Sequence, residues 1–223
     1  MIDSYKFLVF VHILLLVFWL GTDVGVFTGA WWMKKRGRPF GERVLLLQIA
    51  GFLDVMPRLC SALMMPVGLT LARERFDLEV GSAVLGGIWA IALVWCVAIV
   101  TAYRKEGTPV AHGIARVQRA GLAVAAALAI GWGAMLLAGG DVPGWLAAKV
   151  LLFGFIYLAS IGIDLTFTPA IQVFLTMPPE GGNDAQEAAF SAAINRCCAV
   201  VLLLYAILLA STWLGVFKAA ALR

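Results

Sequence analysis

The stretch YKFLVFVHILLLVFWLGTDVGVFTGAWW, Tyr5 to Trp32, decides the fold. A helix needs about 20 apolar residues to cross a bilayer, and this run exceeds that length. It is also longer than the apolar core of about 7 to 15 residues in a signal peptide, and a basic segment follows it, so it reads as a span. Inside it lie an imidazole, an indole and a carboxylate. At helical geometry of about 100° per residue, His12, Trp19 and Asp23 fall within roughly 40° of one another, with Tyr5 on the same stripe. An ionisable group at membrane depth points at a partner or a cavity rather than at lipid. The other helices are therefore read by what they bring to this face.

The rest of the chain agrees with a membrane setting. Of 223 residues, 62% are hydrophobic and only 13% charged, with a mean hydropathy of +0.94, outside the range of soluble domains. The net charge of +4 comes from basic residues beside apolar runs, which makes membrane lipid with anionic headgroups the counter-charge and not nucleic acid. Six spans are predicted, at about 5–32, 42–72, 81–103, 115–138, 145–176 and 188–217, each long enough to cross with tilt. The expected fold is thus a single-domain, all-α, six-helix membrane bundle. The first loop, MKKRGRPFGER, is dense in Lys and Arg and marks the cytoplasmic side. Both termini are then expected outside, in the inner membrane of a bacterium. Cys60, Cys96, Cys197 and Cys198 lie within apolar runs and read as packing residues.

Span two carries Asp54, Arg58, Ser61 and Met65 on one face, with Pro57 and Pro66 removing backbone donors beside them. Span five repeats the theme with Tyr157, Ser160, Asp164 and Thr168, followed by Pro169. Span six adds Asn195 and Arg196. At 1.5 Å per residue on alternating helix directions, Asp23, Asp54, Arg58, Asp164, Asn195 and Arg196 come out near one level. A lone charge there costs at least about 2.5 to 3.5 kcal/mol on insertion scales, so pairing is expected. Three carboxylates against two arginines leave one acid without a guanidinium. Such a layer is either an ion-pair network that fixes helix register or a site for protons or anionic headgroups.

A second layer lies about 16 Å along the first helix from Asp23, at His12. On the same count Met64, Met65 and Met135 reach a similar depth, and imidazole and thioether are ligands for haem iron or Cu(I). Thioethers in membrane helices are also ordinary apolar filling. His112, in TPVAHG, is expected in a solvated loop.

The spacing of His12, six residues, then Trp19-Leu20-Gly21 resembles the first helix of the copper-resistance protein D family and of the haem-dependent membrane protoporphyrinogen oxidases. The resemblance covers one helix in six. It implies that His12 is an axial ligand of a b-type haem or part of a copper path, with Trp19 and Gly21 shaping the helix contact; Trp19 on the same stripe and Met65 at a compatible depth are the other residues expected near a cofactor. The four-span architecture of the oxidases and their basic, aromatic-rich segment after the first helix have no counterpart here. Neither do the Asp54-x-x-Pro57-Arg58 motif and the Asp164 helix have counterparts in those families.

Three functions follow as expectations. The first is a membrane oxidoreductase with haem b on His12, acting on a tetrapyrrole or on quinone. The second is a transporter, of copper through His12, Met64 and Met65 or of a proton-coupled solute through the acidic layer. The third is an assembly subunit of a membrane complex, suggested by the Gly- and Ala-rich fourth span. No nucleophile-elbow, phosphate-loop or zinc-spacing motif is present, which argues against soluble hydrolase or nucleotide chemistry.

Overall fold

The computed structural model describes residues 3–76 and 78–218. Six helices carry the described chain: α1 (Ser4–Met33), α2 (Phe40–Arg75), α3 (Ser82–Arg104), α4 (Pro109–Gly139), α5 (Gly144–Leu175) and α6 (Asp184–Phe217). All six are long and apolar enough to cross a membrane, and no strand occurs among the described residues. The predicted spans are all present; α2, α4 and α6 are extended by several residues and the other three agree within one residue at each end.

Local chemistry explains the extensions. Helix α4 begins at Pro109 because Thr108 caps it, its hydroxyl accepting from the Ala111 amide, and proline at the first helical position needs no amide partner. His112 therefore sits in the first turn of a helix, its Nδ1 2.8 Å from the Thr108 carbonyl oxygen, and not in the expected loop. Helix α6 begins at Asp184 through a capping box: the Asn183 side chain accepts from the Gln186 amide, and the Gln186 side chain accepts from the Asn183 amide. Helix α2 continues through Pro57 and Pro66, and α5 through Pro169.

The helices close a ring in chain order, α1 beside α2, α2 beside α3, and so on to α6, which returns to α1 along the sparsest seam. The α1/α2, α4/α5 and α5/α6 pairs pack most intimately. Small residues permit this. A Cβ on Gly133 would fall 2.5 Å from the Leu151 amide nitrogen, and one on Gly154 would fall 2.9 Å from the Ala126 carbonyl oxygen, so α4 and α5 touch backbone to backbone. By contrast α3 buries only Leu85, Ala92 and Ile99, one narrow stripe of heptad spacing. Its other faces, with Ile91, Val94 and Val97, stay open, as do Val124 and Leu128 of α4. Such apolar outer surfaces are suited to lipid.

Gly133→Leu places a branched side chain against the α5 backbone where none fits. We expect it to destabilise the bundle by about 1 to 3 kcal/mol or more, read as a lowered unfolding midpoint in mixed micelles, whereas Gly131→Ala, with open space around it, should leave the midpoint unchanged.

Candidate functional site

Two helix pairs, α1/α2 and α5/α6, face each other across the interior. At the end carrying the α1 N-terminus they enclose a cavity of about 340 Å³, a size suited to a small-molecule ligand. Its walls are mainly aliphatic and aromatic, with His12 of α1, Met64, Met65 and Gly68 of α2, Lys149 of α5, and Ser211 and Gly215 of α6 among them. His12 makes no hydrogen bond among the described residues, and its Nδ1 is buried without a partner. The imidazole lies beside Gly68 of α2, where a Cβ would sit 3.5 Å from His12 Cε1, an ordinary contact. Lys149 lies within electrostatic reach of His12. Opposite it, Gly215 leaves the space the ammonium fills, since a Cβ would come 2.7 Å from Nζ.

Trp19 does not line this cavity. It is buried at 3% exposure and packs edge-on against Phe153, ring centroids 6.4 Å apart, while Phe153 meets Tyr157 at 5.0 Å in a second edge contact. Together with Cys60, Met64, Ile156, Leu204 and Leu208 these rings form an apolar cluster. Phe153 and Ile156 belong to both cluster and cavity wall, so the cluster is the cavity floor. Met135, expected near His12, is 66% exposed on the outer face of α4 and takes no part.

Farther along the bundle lies the acidic layer. The Arg58 guanidinium joins two helices, donating from Nε to Asp54 Oδ2 at 2.6 Å within α2 and from NH2 to Asp164 Oδ1 at 3.1 Å on α5. Asp23 lies within electrostatic reach of both Asp54 and Arg58 and beside Tyr205 of α6. Its Oδ2 and the Tyr205 hydroxyl are each buried without a hydrogen-bond partner. The carboxylate left over is thus Asp23. Arg196 does not enter: it is exposed and makes no ion pair among the described residues, and Asn195 instead accepts from the Lys34 ammonium. The hydroxyls of Ser61, Ser160 and Thr168 return to carbonyls of their own helices and are not free for the layer.

The most enclosed charge lies elsewhere, at a residue that no sequence pattern singles out. Arg43, 2% exposed, donates from Nε to the Met33 carbonyl oxygen at 2.9 Å and forks onto Glu187 at 2.6 and 3.2 Å. Its guanidinium carbon stands 5.4 Å from the Phe174 ring centre and 5.1 Å from that of Phe190. Glu187 lies in the first turn of α6, which was expected to start one residue later. The Asn183/Gln186 capping box was the signal that places it inside the helix.

Six apolar helices around an interior of this kind define a multi-pass integral membrane protein. Searches against protein-family models, curated proteins and solved structures return no match.

Glu187→Ala strands a buried guanidinium and should cost about 3 to 5 kcal/mol of stability, whereas Arg196→Ala removes an exposed side chain and should shift stability by no more than about 0.5 kcal/mol. Equilibrium unfolding of both variants in the same micelles checks the contrast.

Proposed function

We propose that the protein is a membrane redox protein of the bacterial inner membrane that holds a b-type haem in the α1/α2/α5/α6 cavity, with His12 as an axial ligand. The observation that carries this reading is an imidazole with no hydrogen bond, set on the wall of an apolar cavity of ligand size. A polar side chain is costly in such a place unless a ligand satisfies it. Other residues fit the same group. Phe76, Trp145 and Phe153 offer surfaces for a flat macrocycle, Met65 is a thioether on the cavity wall, and Lys149 and the exposed Lys218 at the mouth offer charges to propionates. Among the described residues no carbonyl or carboxylate accepts from the second ring nitrogen, as one does beside most metal-bound histidines. When bound, the haem supplies one-electron chemistry. The chain's own part is to present the imidazole, exclude water with the Trp19/Phe153/Tyr157 floor, and surround the site with apolar walls.

A copper path is the second reading. It is supported by the placement of Met64 and Met65 on the same cavity wall as His12, thioether and imidazole being ligands suited to Cu(I).

Protein purified after expression with haem supplied, or titrated with haemin, should show a Soret band that His12→Ala abolishes while leaving the helical circular dichroism unchanged. Wild-type protein without a Soret band, or a band that persists in His12→Ala, overturns the haem reading; Cu(I) uptake in competition with a chromogenic chelator then tests the second.

A further inference from the structure

The cavity holds a charge that no described residue answers. Lys149 is the sixth residue of α5, roughly 7 to 8 Å along the helix from its start. It makes no ion pair or hydrogen bond among the described residues, and no Asp or Glu lines the cavity. The carboxylates of α1, α2 and α5 at membrane depth all belong to the other layer, beyond the aromatic floor. Gly215 is open where the ammonium projects, so the fold makes room for Lys149 inside instead of excluding it. The hydroxyl of Thr212, also on the wall, is committed to the Leu208 carbonyl and offers no carboxylate substitute. At the mouth Lys218 stands 5.5 Å over the Phe76 ring, while Arg75, 5.8 Å over Tyr5, shares its surface with Asp3, Lys6 and Glu74.

We infer that this cavity is a binding site for a carboxylated amphiphile, whose carboxylate pairs with Lys149 and whose apolar body lies along Val150, Phe153 and Ile156 toward the floor. An ammonium at this depth needs an anion to offset its desolvation, and no described residue supplies one, so the ligand does. The apolar wall fixes the rest of the ligand's chemistry, since a small hydrophilic anion would leave that surface bare. Both α1 and α6 line the cavity, and the seam between them is the sparsest in the ring, which makes it the route by which a molecule dissolved in the bilayer enters. The inference goes beyond the haem reading, because the carboxylate can belong to a tetrapyrrole propionate or to a fatty acid.

The test compares acids with their esters on the intact protein. Tritiated oleate and methyl oleate are bound to immobilised wild-type protein, and haemin and haemin dimethyl ester are titrated in parallel by absorbance. A charge-assisted contact of this kind predicts that at least one acid binds roughly tenfold or more tightly than its ester. Lys149→Gln should erase that difference and Lys149→Arg should keep it. Preference for oleate over its ester assigns the site to a membrane-derived acid, and preference for haemin assigns it to a tetrapyrrole. Equal binding of acid and ester in both pairs overturns the inference on wild-type protein alone, so a poorly folded variant cannot obscure the result. A Soret band lost in His12→Ala without any acid preference removes Lys149 and leaves the haem; an acid preference lost in Lys149→Gln without a Soret band removes the haem and leaves this site.

Discussion

The Arg43 guanidinium is the point at which four helices are tied. Three of its donors meet an α1 carbonyl and an α6 carboxylate while its faces rest near rings of α5 and α6. Around it Met33, Phe174, Phe190 and Ile194 are almost completely buried. A charge so enclosed is tolerable only when it is paired and hydrogen-bonded, and the bidentate fork onto Glu187 supplies both. Neither residue can leave without stranding the other. The pair therefore specifies how α1/α2 docks on α5/α6 at one end of the bundle, and that docking leaves the opposite end free to be hollow.

Hollowness at that end follows from how the interior is filled. Between Arg43 and the cavity stand the Arg58 bridge and then the ring cluster of Trp19, Phe153 and Tyr157. The bridge joins α2 to α5, helices that are not neighbours in the ring, and adds a polar tie to the side-chain packing between them, such as Phe40 stacked on Phe174. The aromatic cluster is dry and large, and it closes the space beneath His12. Two polar levels thus share one interior without sharing a compartment. Asp23, unpaired beside Tyr205, stays on the far side of the rings from Lys149.

The spans were legible because apolar runs of more than 20 residues have few alternatives, and the Asp54, Arg58 and Asp164 level was legible because depth follows from helix rise. Rise fixes depth but leaves azimuth and neighbours open. That is why Met135, at the expected depth, faces outward, and why Arg196 and Asn195 fall outside the bridge they were expected to join. Trp19 shares the His12 stripe, yet the chain of edge contacts that makes it a floor depends on α5, four helices later. Arg43 and Glu187 sit at helix starts, where sequence alone does not distinguish an interfacial charge from a buried one. Only the caps at Asn183 and the path of α6 show that they lie inside. Lys149 lies near the start of a span, where a lysine can snorkel to the surface. In the fold its ammonium lies beside Gly215, and no pattern in a single sequence links a glycine of α6 to a lysine of α5.

The division of charge between the two levels has a consequence for ligand choice. In a low-dielectric interior an acid near Lys149 would satisfy it and leave the cavity without a net preference for anions. All three intramembrane aspartates are instead placed beyond the rings, where Arg58 takes two of them. The surplus negative charge is at Asp23 and the surplus positive charge at Lys149, with the aromatic floor between. A ligand entering from the bilayer therefore meets an imidazole, an ammonium and apolar walls, and no carboxylate. That combination favours a molecule with an acid group and a wide apolar body. It disfavours a free cation, for which the ammonium is a barrier. On this ground copper is the weaker of the two proposed occupants, although the thioethers suit it. A carboxylated macrocycle meets both polar groups of the cavity at once.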